Sequence, residues 1–360
     1  MTGYKTQEVE IERLFSNVLE ADASDLHLLV GKPPMIRVDS RLSPLSSYPV
    51  LDGEQIEKLV LVLLSDFHKE QLRANKQVDF SYDFRGHARF RVNVYYQKGT
   101  QAAAFRRIPS KIRTLQELGL PAKLADFTKH RQGLALFVGP SGHGKSTTLA
   151  ALIDIINQTR TEHIITIEDP IEYLFVQNKS LISQREVYQD TAGFARAIRA
   201  TLREDANVVM VGEMRDLESI ATTVTVAETG HLVFATLHTN EAAQTIDRII
   251  DVFPAHQQNQ IRSQLASILL GVVSQRLLPR IGGGQIPAVE ILINTNAMKN
   301  LIREGRIYEI PNIIQTSQNE GMVSLDRSLA DLVRQGVVDL ENAMAYANDL
   351  DLFKSLVRRF

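Results

Sequence analysis

The sequence predicts an α/β protein with two domains and a helical C-terminal region, and three observations lead to this prediction. The chain has 360 residues, which suits about two domains of ordinary size. Apolar and polar residues alternate over much of Phe80–Tyr95, which is typical of an antiparallel sheet. From about residue 130, continuous apolar runs alternate with helical stretches, which indicates a parallel sheet buried on both faces.

Residues 1–108 are predicted to form an N-terminal α+β domain. Apolar residues recur at helical spacing before position 20. The clearest strand signal follows later, where Phe80, Tyr82 and Phe84 alternate with polar residues, and a turn leads into a second alternating run. Residues 109–129 contain two turn signals with proline or glycine and are predicted to be a linker.

Residues 130–295 are predicted to form the parallel-sheet domain, and residues 296–360 a helical C-terminal region. Five apolar runs supply the candidate strands: Leu134–Val138, Ile164–Ile167, Val208–Val211, Leu232–Ala235 and Val289–Ile293. After the last of these runs the apolar residues recur only at helical spacing.

Composition excludes several classes of protein. The chain has no cysteine, so disulfides, thiol nucleophiles and cysteine-bound metals are excluded. Lys and Arg number 40 and Asp and Glu 42, and this net charge of −2 gives no support to nucleic acid as a partner. The apolar runs are much shorter than the ~20 residues of a membrane span. We therefore expect a cytoplasmic protein without a direct membrane span.

A phosphate-binding loop is the strongest local signal. GPSGHGKS, residues 139–146, matches G-x-x-x-x-G-K-[ST] between a predicted strand and a predicted helix. In such loops backbone N–H groups bind phosphate, the lysine reaches the β- and γ-phosphates, and the serine ligates Mg²⁺. His143 occupies a variable position and is expected to be exposed. The motif predicts ATP binding by Gly139, Ser141, Gly142, His143, Gly144, Lys145, Ser146 and Thr147, with Mg²⁺ on Ser146.

Two acids directly follow predicted strands. Glu168 ends the run that begins at Ile164, and Glu213 comes two residues after Val208–Val211. Because ligands of parallel sheets bind at the carboxyl ends of the strands, both acids are expected near the phosphates. Glu213 is expected to polarise the attacking water, and Glu168 to hold water or the metal ion.

One histidine is a candidate sensor of the nucleotide state. His231 immediately precedes the run Leu232–Ala235. An imidazole beside a γ-phosphate can donate a hydrogen bond that is lost on hydrolysis. We hypothesise that His231 has this role, and the alternative is a packed or solvated histidine.

Three arginines of the N-terminal domain are further candidates. Arg89 and Arg91 lie two apart in a predicted strand and therefore share one face, and Arg106 follows in the next strand. An arginine supplied across a subunit interface neutralises transition-state charge in many nucleotide hydrolases. The alternative is a solvated sheet face.

Four segments, in this order, resemble the secretion ATPase superfamily: GPSGHGKST, TIEDPIEY, LREDANVVMVGEMRD and AETGHLVFATLHT. The segments ARFRVNVYYQ, FRRIPSKI and QREVYQDT are in addition similar to type IV pilus retraction ATPases. The segment AMKNLIRE differs from that family's AIRNLIRE at Met298 and Lys299.

The resemblance implies a PAS-like N-terminal domain and a RecA-like ATPase domain in a homohexamer that binds ATP and Mg²⁺. It assigns Glu213 as the Walker B catalytic glutamate, Glu168 to the acidic box, and His231 and His238 to the histidine box. It implies a motor for pilus retraction and twitching motility at the cytoplasmic face of the inner membrane. The implied partners are the inner-membrane pilus platform protein and the pilus machinery.

Several alternatives remain open. An accessory paralogue of the retraction motor fits the same motifs. A pilus-assembly or type II secretion ATPase usually carries a four-cysteine zinc insert, and the lack of cysteine counts against it. A nucleic-acid translocase and a non-hydrolysing scaffold are disfavoured by the net charge and by the complete set of acids. The segment around Asn296–Gly305 is expected to couple hydrolysis to work on the pilus, and the alternative is an ordinary packing helix.

Overall fold

The structure, a computed structural model, describes residues 2–38, 41–109 and 111–358. The chain divides into two compact units. The first consists of Met1–Lys111 with Pro170–Leu174, and the second of Ile112–Asp169 with Phe175–Phe360. In the part of the chain that is described, no helix combines the length and the apolar character that crossing a membrane requires.

The first unit is an antiparallel sheet with three helices. Its strands are β1 (Asp25–Leu28), β2 (Met35–Val38), β3 (Arg41–Pro44), β4 (Gln77–Phe84), β5 (Ala88–Gln97) and β6 (Thr100–Ile108), in the order β3-β2-β1-β6-β5-β4. Its helices are α1 (Thr2–Glu20), α2 (Gly53–Leu61) and α3 (Asp66–Asn75). Phe15 of α1 stacks on Phe90 of β5 with ring centroids 4.5 Å apart, so α1 packs on one face of the sheet.

The second unit is built on a seven-stranded sheet. Its strands are β7 (Gly133–Val138), β8 (His163–Glu168), β9 (Leu181–Glu186), β10 (Val208–Val211), β11 (Leu232–Leu237), β12 (Leu269–Pro279) and β13 (Gln285–Ile293). Their order is β13-β12-β7-β11-β10-β8-β9, with β13 antiparallel to β12 and the other neighbours parallel. All five predicted apolar runs are strands, whereas β9 and β12 escaped prediction.

Helices cover both faces of this sheet. They are α4 (Lys145–Thr159), α5 (Phe194–Thr201), α6 (Leu217–Glu228), α7 (Ala242–Asp251) and α8 (Ala255–Ile268). Alternate residues of the strands enter two separate apolar cores, one containing Leu136 and the other Phe137. Strands β7, β10 and β11 are buried at every position, as expected for a parallel sheet between helical layers.

The predicted linker 109–129 is folded from residue 112 onward and belongs to the second unit. A 3₁₀ helix spans Ala122–Lys129, and its Leu124 and Phe127 are buried in the same core as Phe137. The apolar side chains in this segment explain the difference, because they are buried together with the sheet instead of being left in water.

The C-terminal region is helical, as predicted, and packs on the second sheet. Its helices are α9 (Asn296–Glu304), α10 (Ile310–Thr316), α11 (Leu325–Arg334), α12 (Leu340–Met344) and α13 (Leu350–Arg358). Helices α9 and α10 contribute to the core that contains Leu136, and the last three helices form a smaller core with Leu278 and Ala288 of the β12–β13 hairpin.

The apolar face of α9 is a packing face. Leu301 is 7% exposed, and Met298 and Ile302 are fully buried in the core of the second unit. We expect the double change Leu301→Ala with Ile302→Ala to lower the melting temperature and the ATPase rate together. Truncating a buried Leu or Ile costs about 2–5 kcal/mol of unfolding free energy. Thermal unfolding and phosphate release measure the two effects.

The exposed side of the same helix supplies the control. Asn300 and Arg303 are exposed, so Asn300→Ala with Arg303→Ala should keep the wild-type melting temperature. A wild-type melting temperature in the Leu301/Ile302 double variant would contradict the packing described above.

Candidate nucleotide site

The phosphate loop joins β7 to α4 and is shaped by its glycines. Gly139, Gly142 and Gly144 have φ values of 138°, 78° and 82°, in the left-handed region that favours glycine. A Cβ at Gly139 would lie 2.5 Å from the carbonyl oxygen of Gln275, so no side chain fits there. At Gly142 no atom lies within 4 Å of the Cβ position, and this part of the loop is open.

Lys145 is the cation of the loop. The residue is 8% exposed, and its Nζ donates to the carbonyl oxygens of Gly139 at 2.6 Å and Pro140 at 2.8 Å. Ser146 and Thr147 follow in the first turn of α4, where the helix dipole favours anions. A buried ammonium, a helix N-terminus and an open glycine loop together form a donor set that fits a polyphosphate.

Strand β12 supports the loop from one side. Gln275 is 3% exposed, its Nε2 donates to the carbonyl oxygen of His143 at 2.9 Å, and its Oε1 accepts from Thr148 Oγ1 at 2.7 Å. The backbone N–H of Leu277 donates to His143 Nδ1 at 3.0 Å. The expectation of an exposed His143 is therefore wrong: the ring is half-buried, and burial with two nearby cations lowers its pKa.

A cavity of about 400 Å³ opens beside the loop. Three parts of the second unit line it: the start of α4, the β12–β13 hairpin and the segment after Ile112, including Thr147, Thr148, Leu277, Ile286, Arg113 and Gln116. Its volume and mixed lining suit the nucleoside part of a nucleotide whose phosphates lie on the loop. Arg113 and Gln116 were missed because their segment was interpreted as a linker.

The two predicted acids lie at the carboxyl edge of the same sheet. Ile167 pairs with Val211 across β8 and β10, so Glu168 and Glu213 follow at one edge. Glu168 is 6% exposed, and its Oε1 accepts from Thr166 Oγ1 at 2.7 Å. Strand β10 lies two positions from β7 in the sheet, about 10 Å at the usual strand spacing. Glu213 and the phosphate loop thus follow strands at the same edge of the sheet.

Glu213 has a partner on each carboxylate oxygen. Nε2 of His238, the residue after β11, lies 2.9 Å from Oε1, and Nε of Arg215 lies 2.8 Å from Oε2. The Glu213 side chain is 18% exposed. The structure therefore brings together Glu213 and His238, and it adds Arg215, which was not among the sequence candidates although it lies in the quoted GEMRD segment.

The structure places His231 at the opposite edge of the sheet. It precedes β11, whose first residue pairs with Gly133 at the start of β7. The six residues of β11 span about 20 Å. His231 Nδ1 lies 3.0 Å from the carbonyl oxygen of Val226. The hypothesis that His231 senses a γ-phosphate on the same chain is therefore wrong, because the two ends of a strand are on different edges.

The three candidate arginines share the polar face of the first sheet. Arg91 pairs with Arg106 across β5 and β6, and Arg89 lies two residues from Arg91. Arg106 Nε donates to Asp25 Oδ1 at 2.9 Å, and Arg89 donates to Ser81. Burial alone would raise the pKa of Asp25, but its hydrogen bonds and cationic neighbours outweigh burial and lower it. This cluster is confined to the first unit.

The sequence matches the family described as Type II/IV secretion system protein over residues 3–285. That match covers more than half of the chain. The chain belongs to this family.

Relatives in this secretion family align with nearly the whole chain. The type IV pilus retraction ATPase PilT of Pseudomonas aeruginosa is 46% identical over 335 residues, 93% of this chain and 97% of the relative. The type IV pilus ATPase PilU of the same organism is 39% identical over 352 residues, 97% of this chain and 92% of that protein. A crystal structure of the pilus retraction motor PilT with bound ADP has a TM-score of 0.89 at 47% identity, covering 96% of this chain and 98% of that one.

These matches confirm three predictions for this member of the secretion family. They confirm the family, the fold class, and the class of enzyme, an ATP hydrolase. The fold class is an N-terminal domain followed by an ATPase domain with a helical C-terminal region.

Mg²⁺ binding near the loop stays a prediction. Within residues 2–38, 41–109 and 111–358, no group of three or more His, Asp and Glu side chains could by itself hold a metal ion. Mg²⁺ commonly uses one or two protein oxygens, with phosphate and water oxygens as the other ligands. The Ser146 hydroxyl and the Glu168 carboxylate remain the residues predicted to hold it in this secretion-family protein.

Proposed function

We propose that the chain is the subunit of a hexameric motor that hydrolyses ATP to power type IV pilus retraction and twitching motility. The observation that carries this proposal is the complete phosphate loop with Glu213 opposite, on a chain 46% identical over 335 residues to a pilus retraction ATPase. The substrate is ATP with Mg²⁺, and the proposed partners are the inner-membrane platform protein and the pilus machinery at the cytoplasmic face.

Each residue of the site has a separate role in the proposed ATP hydrolysis. The loop N–H groups and Lys145 bind and orient the phosphates, and bound Mg²⁺ would neutralise charge on their oxygens. Glu213 orients the attacking water and accepts its proton. His238 Nε2 lies 2.9 Å from the carboxylate that performs this step, so His238 helps to hold Glu213 in place.

In the proposed ring, arginines of the first unit serve the nucleotide site of a neighbouring subunit. Arg89, Arg91 and Arg106 lie together on one sheet face of the first unit, and we propose that one of them acts on nucleotide held by a neighbouring subunit. In a closed ring every interface is made by the same contact, so each site receives the same arginine.

An accessory paralogue is the second candidate. The identity to PilU is 39% over 352 residues, whereas the identity to PilT is 46% over 335 residues. The higher identity favours the main retraction motor. A main retraction motor should restore retraction in a strain that lacks its retraction motor, and an accessory paralogue only in a strain that lacks the accessory ATPase.

Complementation tests the proposed function. In a strain that lacks its retraction motor, this chain should restore twitching and pilus retraction, and Glu213→Gln should not. Glu218→Gln is the matched control, because Glu218 is an exposed glutamate that pairs with Arg199. A chain that hydrolyses ATP and fails to restore retraction refutes the proposal. Restoration only in a strain that lacks the accessory ATPase favours the second candidate.

A further inference from the structure

Arg215 lies in the short segment between β10 and α6. The N–H of Met214 donates to the carbonyl oxygen of Thr236 at 3.0 Å, and the Met214 side chain is buried in the core. Glu213 and Arg215 contact each other and are partly exposed, whereas Met214 is buried, so the two charged side chains lie on the side away from the core. Both side chains therefore stand at the carboxyl edge of the sheet.

The guanidinium of Arg215 lies between acids from two neighbouring strands. Its Nε is 2.8 Å from Glu213 Oε2, and its Nη1 is 3.8 Å from Asp169 Oδ2. Glu213 follows β10 and Asp169 follows β8, so the arginine joins the ends of two strands. A planar guanidinium can make such a two-sided contact, whereas a lysine ammonium acts as a single point charge.

Neighbouring acids stabilise the positive charge of Arg215. Burial alone would lower the pKa of Arg215, but the hydrogen bond and the charge of Glu213, aided by Asp169 and Tyr188, outweigh burial and raise it. With His238 Nε2 at 2.9 Å from the other oxygen, the plane of the Glu213 carboxylate is restrained on both sides. Lone pairs remain on both oxygens for a water molecule.

We propose that Arg215 is a positioning residue for ATP hydrolysis, which fixes the orientation of the Glu213 carboxylate by bridging it to Asp169. The inference rests on the proposed role of Glu213 in orienting the attacking water. Arg215 acts through Glu213 and makes no contribution of its own to ATP binding.

A double-mutant cycle tests this proposal on the purified full chain. The proteins are wild type, Arg215→Gln, Glu213→Gln and the double variant, and the measurements are kcat, KM for ATP and the ATP dissociation constant. We expect Arg215→Gln to lower kcat by about 10- to 100-fold, as displacement of a reacting group does, with KM and ATP affinity nearly unchanged. The double variant should match Glu213→Gln, because residues that act as a unit are not additive.

Two further variants separate orientation from charge and from general damage. Arg215→Lys keeps the positive charge without the two-sided contact, and it should have a kcat below that of wild type. It also replaces Arg215→Gln in the cycle if that variant does not fold. Arg199→Gln is the control. Arg199 and Arg215 are both 58% exposed and both pair with a glutamate. The kcat of Arg199→Gln should equal that of wild type.

Several results would overturn the proposal. A double variant much slower than Glu213→Gln means that Arg215 acts on the phosphates directly. A weakened ATP affinity in Arg215→Gln means that Arg215 binds the nucleotide. A wild-type kcat in Arg215→Gln or Arg215→Lys means that the bridge between Glu213 and Asp169 does not affect hydrolysis. Failure of the proposed motor function would look different. ATP hydrolysis and the double-mutant cycle would then be as expected, but the protein would not restore pilus retraction.

Discussion

Glu213→Gln is expected to bind ATP normally and to hydrolyse it about 10²–10⁴-fold more slowly. Glutamine keeps the volume of the side chain, so the packing at the edge of the sheet is preserved. It removes the negative charge that orients and deprotonates the attacking water, and it leaves Arg215 without its nearest anion at 2.8 Å. Phosphate release measures turnover, and calorimetry measures the affinity for ATP.

Glu218→Gln is the matched control for this change. Glu218 is also paired with an arginine, Arg199 at 3.1 Å, but its side chain is 66% exposed and it lies in the first turn of α6. Its turnover should stay at the wild-type value. Wild-type turnover in Glu213→Gln would remove this residue from the chemistry, and loss of ATP binding would make it a ligand of the nucleotide instead.

Lys145→Ala is expected to weaken ATP binding by about 100-fold, as loss of a charge-assisted hydrogen bond to a phosphate does. Lys145 is 8% exposed and its Nζ donates to two loop carbonyls, so the ammonium is largely desolvated within the loop. Alanine removes the charge and keeps good helix propensity at the first position of α4. Calorimetric titration with Mg-ATP measures the change.

Lys129→Ala provides the comparison for Lys145→Ala. Lys129 is an exposed lysine that pairs with Asp126 at 2.7 Å, outside the loop and outside the lining of the cavity. Its ATP affinity should remain that of the wild type. An unchanged affinity in Lys145→Ala, with an unchanged melting temperature, would show that the loop does not hold the phosphates.

The elements of this fold that were predicted are those determined by residues close together in the sequence. The phosphate loop is a contiguous motif between a strand and a helix. Strands β7, β10 and β11 are continuous apolar runs because both of their faces are buried. Strand β9 was missed because it lies at the edge of the sheet and its sequence, LISQRE, is largely polar. Strand β12 was missed because it follows α8 without a break.

The features of the site that were not predicted depend on contacts between residues far apart in the sequence. Gln275 and His143 are 132 residues apart, and nothing in either local pattern indicates that they are bonded. The error on His231 has a related cause. Two histidines close in sequence were assigned to one site, and only the direction of β11 shows that they lie on different edges. Arg215 was visible in its motif, but its partner Asp169 comes from another strand.

The contact between Gly139 and Gln275 limits which sequences this loop can accept. The first glycine of the motif is excluded from change by a carbonyl oxygen 2.5 Å from its would-be Cβ, which belongs to the neighbouring strand and not to any ligand. Gly144 is limited by its positive φ of 82°, since its nearest neighbour, Gln275 Nε2 at 2.7 Å, is the end of a side chain that can move. A side chain at Gly139 should therefore disturb the packing of the loop on β12 whether or not nucleotide is bound. Packing against β12 therefore explains Gly139, whereas the proposed chemistry explains Lys145 and Glu213.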